Sequence, residues 1–178
     1  IKYSEIFLNQ LKVLARKLKN KKLNAPRLKV SQSQIDDAYT FFPYQLTEDQ
    51  KSVLNHVFED FASGSPMMRM VQGDVGCGKT TVAIIAALFQ LQAKKQVAIM
   101  CPTEALARQH AQTFSKVLEK KNFNIALLLG STKPKDKKVI AEHLKDGSID
   151  LIIGTHSLIQ DSVEFSHLSL AIIDEQHK

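Results

Sequence analysis

Eight consecutive residues constrain this chain more than any others: Gly73-Asp74-Val75-Gly76-Cys77-Gly78-Lys79-Thr80. They match the pattern G-x-x-x-x-G-K-[ST] at every fixed position. The context fits as well. An apolar run at 67–71 predicts a strand before the loop, and Val82–Leu91 predicts a helix over 79–93 after it. Glycines let the backbone turn tightly and aim several N–H groups at phosphate oxygens, and the helix adds the positive end of its dipole. In such a loop Lys79 contacts the β- and γ-phosphates and the Thr80 hydroxyl ligates Mg²⁺. Gly73, Asp74, Val75, Gly76, Cys77, Gly78 and Thr81 complete the expected phosphate cradle, with Cys77 a small filler at a free position.

A loop of this kind needs a second carboxylate to hold the metal through water. Leu170-Ala171-Ile172-Ile173-Asp174 supplies one, an apolar run ending in Asp where parallel strands collect their ligands. Glu175 follows at once and can orient or deprotonate an attacking water. Together these residues read as a nucleoside triphosphatase site.

The rest of the chain supports an α/β fold. Helices are expected at 48–62, 104–121 and 135–145, and a short one after Thr155. Strands are expected at 97–101, 125–129, 150–153 and 170–173. Continuously apolar strands separated by such helices mean βαβ units and a buried parallel sheet flanked by helices. Upstream, Phe7, Leu11, Leu14 and Leu18 predict an amphipathic helix over Ser4–Lys22. Leu23 to Phe42, with Pro26 and a Ser/Gln-rich stretch, reads as a connector. The expected division is therefore a basic linker segment, 1–42, and a main domain, 43–178. The chain opens on Ile1, and we expect it to be part of a longer one.

Charge is divided in the same way. Residues 1–30 hold nine Lys/Arg against Glu5 alone, a net +8, while the remaining 148 residues carry fifteen basic and seventeen acidic side chains, a net −2. A basic leader suits a polyanion such as nucleic acid, and equally a solvated helix face. The longest wholly apolar run, Val82–Phe89, is too short to span a bilayer. Lysines interrupt each apolar stretch near the start, which argues against a signal peptide. Cys77 and Cys101 are too few for a disulfide scaffold or a zinc site, so a reduced, cytoplasmic protein is expected.

Asp174-Glu175-Gln176-His177 resembles the DExH box of superfamily 2 helicases and translocases. Other signatures of that family follow in order. Thr47-Glu48-Asp49-Gln50 is similar to the Q-motif region, Pro102-Thr103-Glu104 to motif Ia, and Gly154-Thr155-His156 to motif Ib. Within the superfamily, Met67–Gly76, Ala107-Arg108-Gln109-His110 and Ile172–His177 are similar to the RecG family of branched-DNA translocases. Gln72 and Gln176 favour RecG over the coupling factor Mfd, which tends to carry Cys and Glu there. The resemblance covers residues 43–178, and the leader is only loosely similar to the linker helix after RecG's wedge domain. Cys77 departs from the family's usual Ser.

The resemblance implies the first RecA-like lobe of an ATP-dependent DNA helicase, with ATP and Mg²⁺ as cofactors. It implies adenine recognition by Gln50 and contact with branched or single-stranded DNA through Pro102, Thr103, Gln109, Thr155 and His156. It also implies that His177 couples nucleotide to motion. A second RecA-like lobe, its arginine finger and a wedge domain would lie elsewhere in the parent, so this part should bind nucleotide far better than it turns it over. Two residues keep a second reading: Gln50 also completes a capping box with Thr47, and Thr103 also suits a helix N-cap. An Mfd-like lobe, or a nucleotide-regulated binding module without hydrolysis, is the alternative function. A kinase or GTPase has no job for Glu175, the Pro-Thr-Glu segment or Gly-Thr-His.

The leader's charge makes a measurable expectation. Weak, sequence-independent DNA affinity should fall with salt at a log–log slope of ~−0.9 per phosphate neutralised on a duplex and ~−0.7 on a single strand. Fluorescence anisotropy across a salt series should show a flatter slope once residues 1–30 are deleted. An unaltered slope would make the leader a solvated linker.

Overall fold

A parallel strand must return to the same end of the sheet through a crossover, so the order of strands and helices fixes much of the architecture. The computed structural model describes residues 24–160 and 162–174. The predicted leader helix over Ser4–Lys22 lies outside them, as do Glu175, Gln176 and His177. Four strands, β1 (Gln96–Met100), β2 (Ile125–Leu128), β3 (Leu151–Gly154) and β4 (Leu168–Ile173), form one parallel sheet in the order β2-β3-β1-β4. Among the described residues five α-helices accompany them: α1 (Gln32–Tyr39), α2 (Glu48–Ser63), α3 (Lys79–Gln92), α4 (Glu104–Leu118) and α5 (Pro134–Lys145).

Handedness decides which face each helix covers. The connection from β1 to β2 crosses the sheet in one direction, and the next two, to β3 and then to β4, cross back. Right-handed crossovers therefore place α4 on one face and the later connections on the other. The packing follows this rule. Val97, Ile99, Leu151 and Ile153 join the large core with Phe114 and Leu118 of α4, while Ala98 and Ile152 point the other way, into a second cluster with Leu144 of α5 and Leu158. Alternate residues of one strand thus serve two cores, which is why these strands read as continuously apolar. Within the sheet, Gln96 is buried but satisfied. Its amide nitrogen donates to the Leu144 and Ile149 carbonyls, and its oxygen accepts from the His167 N–H, each at 2.9 Å.

Local signals set the helix ends. Thr47 and Gln50 form a reciprocal capping box at the start of α2, and Gly64 closes that helix in the left-handed conformation. Thr103 caps α4, accepting from the Leu106 N–H. Helix α4 stops at Leu118 and a 3₁₀ turn, Glu119–Lys121, completes the run expected to 121. A second such turn, His156–Ile159, is the short helix expected after Thr155.

Two sequence expectations differ from the structure. Residues 67–71 are not part of the sheet, although an apolar run there predicts a strand. An apolar run gives a residue preference, whereas a strand also requires a neighbouring backbone in register, and none of the four strands pairs with this segment. The second difference is α1, which lies where the sequence reads as a connector. It forms because Ser31 and Gln34 make a capping box, and it is held because Ile35, Ala38 and Phe42 join the large core. Among the described residues no helix is long and apolar enough to cross a membrane.

The C-terminal ends of the strands form one register row. Leu128 is level with Gly154, Gly154 with Met100, and Met100 with Ile173. A side chain at Gly154 would collide with the Leu128 carbonyl oxygen and the Leu158 side chain, so the row depends on glycine at that point.

Candidate functional site

Because the strand ends are level, the residues that come after them leave the sheet at one edge. Pro102 and Thr103 come after β1, Gly130 and Ser131 after β2, Thr155 and His156 after β3, and Asp174 after β4. The glycine-rich loop belongs to the same edge. Helix α3 is joined to β1 through residues 93–95 alone and packs on β1 and β4, so it runs back along the sheet. Its length, about 21 Å at 1.5 Å per residue, exceeds the roughly 16 Å of β1, which returns its first turn to the strands' C-terminal edge.

The loop itself is built for close backbone approach. Gly76 and Gly78 both have φ of 84°, a left-handed conformation that side chains resist. At position 78 a Cβ would also strike the Gln50 amide. Gly78 is the N-cap of α3 and offers no side-chain acceptor, so the first-turn N–H groups suit an external anion. The Lys79 ammonium donates to the Gly73 carbonyl at 2.6 Å and the Asp74 carbonyl at 2.8 Å, and lies 3.8 Å from the Cys77 sulfur. Val75 is fully exposed at the loop's tip. Thr80 stands in the first turn of α3, and the buried Thr81 shares its hydroxyl with Tyr44 at 2.8 Å. Tyr44 was not legible from sequence, because its partner lies 37 positions away.

Both readings of Gln50 have a structural basis. Its oxygen accepts from the Thr47 N–H at 2.9 Å, completing the cap, and its amide nitrogen donates to the Cys77 carbonyl at 3.0 Å. A primary amide has two N–H groups and two lone pairs, so one of each remains for a bidentate partner.

Asp174 is fixed from two sides. Its N–H donates to the Met100 carbonyl at 2.9 Å, and its Oδ2 accepts from His110 Nε2 at 2.7 Å. Burial, and behind it the negative charge of Asp174, pushes the neighbouring Cys101 thiol up to about 11. Along the rest of the edge, Thr103 and His156 are exposed, Pro102 is half-buried, the Gln109 side chain is exposed on α4, and Thr155 is buried.

A further link was missed in the sequence. Glu104 Oε2 accepts from the Ser131 hydroxyl at 2.6 Å and Oε1 from the Ser131 N–H at 2.9 Å, tying the loop after β2 to the start of α4. Gly130-Ser131-Thr132 after an apolar strand signals a turn, but its partner 27 residues earlier does not show in any local pattern.

Comparison with known proteins decides the family to which this geometry belongs. The family model for DEAD/DEAH box helicases matches residues 47–178. The chain belongs to the DEAD/DEAH box helicase family. Among its relatives, this helicase chain is 45% identical over 176 residues to the ATP-dependent DNA helicase RecG of Aquifex aeolicus, covering 99% of the chain and 22% of that protein. It is 43% identical over 177 residues to the RecG of Bacillus subtilis, covering 99% and 26%. The chain therefore spans about a quarter of the length of the curated relatives it matches. A solved structure of RecG bound to a three-way DNA junction superposes with a TM-score of 0.89 at 40% identity, covering 99% of this chain and 24% of that one. A hypothetical ATP-dependent RNA helicase from Sulfolobus tokodaii shares the helicase-lobe fold, with a TM-score of 0.61 at 19% identity over 83% of this chain and 42% of that one.

The Glu104–Ser131 contact predicts a pH response. Hydrogen bonds from the Ser131 hydroxyl, then from its amide, hold the Glu104 carboxyl below its ordinary 4.5. A depressed folded value means the tie is present above 4.5 and is lost as pH falls through that lower value. The Ser131 amide resonance should titrate with a midpoint below 4.5, and Glu104→Gln should remove that titration. A midpoint at or above 4.5 would contradict the contact.

Proposed function

We propose that this chain is the ATP-binding motor lobe of a RecG-type DNA helicase. Residues 43–178 would form the first RecA-like lobe and 1–42 the basic linker segment leading into it. The intact parent would couple ATP hydrolysis to remodelling of branched DNA in repair and recombination, in a cytoplasmic setting. The observation that carries the reading is the register row, which supports one edge for both nucleotide and strand contacts. Similarity to RecG across the whole chain supports the choice of parent.

The residues present suit Mg²⁺ and ATP: a glycine backbone without side chains at 76 and 78, an ammonium within the loop, and a carboxylate at the end of β4. Lys79 would hold the β- and γ-phosphates, Thr80 and Asp174 the metal, and the spare N–H and lone pair of Gln50 the adenine edge. The metal, when bound, supplies charge neutralisation of the transferring phosphoryl group. Glu175 accepts the proton of the attacking water on a carboxylate oxygen. Pro102, Thr103, Gln109, Thr155 and His156 would meet the DNA strand, with His177 linking the nucleotide to movement. A second lobe of the parent would bring an arginine finger, worth ~10³–10⁵ in rate in comparable systems.

Substitutions in the full-length parent separate these roles. Lys79→Ala should leave the fold intact and reduce hydrolysis by ~2–4 kcal/mol in the transition state. Asp174→Asn should weaken the Mg²⁺-dependent part of nucleotide binding, whereas Glu175→Gln should retain binding and stop turnover. Fluorescent-nucleotide titrations with and without Mg²⁺, beside single-turnover hydrolysis, distinguish the three. Normal binding and normal turnover in both carboxylate variants would exclude this site.

A further inference from the structure

His110 belongs to no part of the triphosphatase pattern, yet it makes a direct side-chain contact with Asp174. Its Nε2 stands 2.7 Å from Asp174 Oδ2, across 64 residues of sequence. The pair is sheltered: the His110 side chain is 14% exposed and that of Asp174 32%. A carboxylate accepts, so the ring nitrogen facing it is the one that carries the proton. The imidazole is steadied on its own helix by Phe114, whose ring centroid lies 6.4 Å away and whose side chain is fully buried. The other oxygen of Asp174 is left out of this hydrogen bond, and the Met100 carbonyl fixes the Asp174 backbone. Backbone and side chain are thereby set by two different elements, β1 and α4.

Helix α4 ties this contact to a second point on the same sheet edge. Thr103 caps that helix, and His110 is its seventh residue, about 10 Å further along the axis. One stiff element joins the edge where Thr103 is exposed to the carboxylate at the end of β4. Resting on the proposed roles of Asp174 in metal binding and Thr103 in strand contact, we propose that His110 is a positioning residue that orients the Asp174 carboxylate toward the metal, and that α4 thereby links strand contact to the hydrolytic site.

The test uses the full-length parent with His110→Ala, His110→Gln and, for reference, Asp174→Asn. A fluorescent ATP analogue is titrated with Mg²⁺, and hydrolysis is measured with and without a forked DNA. Glutamine carries an N–H donor near the place of Nε2. Loss of a residue that orients a metal-binding group typically costs ~10–100-fold, so His110→Ala should raise the half-saturating Mg²⁺ concentration ~10-fold or more. It should leave Mg²⁺-free nucleotide binding unchanged and bring the ratio of DNA-stimulated to basal hydrolysis toward one. His110→Gln should recover both properties. The proposal is overturned if His110→Ala keeps the parent's Mg²⁺ dependence, if its stimulation ratio is unchanged, or if His110→Gln is as impaired as His110→Ala. An Asp174→Asn variant with normal Mg²⁺ dependence would remove the site assignment itself, and this inference with it. A defective Asp174→Asn beside a silent His110→Ala would overturn the inference alone.

Discussion

Parallel pairing of β1 with β3 on one side and β4 on the other is the constraint on which the rest of the structure depends. It forbids hairpins, requires a crossover after each strand, and buries both faces of the central strands. Val97, Ile99, Leu151, Ile152 and Ile153 are all almost inaccessible as a result. The same pairing brings the strand ends into one row and so collects the loops that follow them at one edge. A slip of one residue between β1 and β4 would move Asp174 relative to Met100 and reverse the faces of β4. The geometry of the site is thus a property of the sheet register before it is a property of any loop.

The features legible in the sequence are those with local causes. The central strands β1 and β3 were readable because burial on both faces demands unbroken apolar runs. Helix α2 was readable from Thr47, Gln50 and the apolar face of Val57, Phe58 and Phe61. The loop at 73–80 was readable because glycine at 76 and 78 answers a backbone requirement that few residues meet. The features missed are those settled by partners far along the chain. The run at 67–71 has the composition of a strand but not the ladder. Helix α1 is only eight residues long and depends on docking Ile35 and Ala38 into a core built by later residues. Tyr44 with Thr81, Glu104 with Ser131, and His110 with Asp174 are all contacts between distant segments. No local window contains both halves of any of them.

Electrostatic organisation separates the chain in a second way. The basic excess lies in the first thirty residues, while the remainder is close to neutral with acidic groups used individually. Asp174 is sheltered against His110, and Glu104 is held by Ser131. On the proposed reading, a lobe built in this manner would bind nucleotide by itself and depend on a second body to complete the transition state.

The most direct test of the motor-lobe assignment is the ATPase rate of this lobe alone and joined to the second lobe of its parent, each with and without branched DNA. The account predicts that the lobe alone binds Mg·ATP with little turnover, and that the joined pair hydrolyses ATP and is stimulated by the DNA. Turnover that is unchanged by the second lobe, or indifferent to DNA, would contradict it.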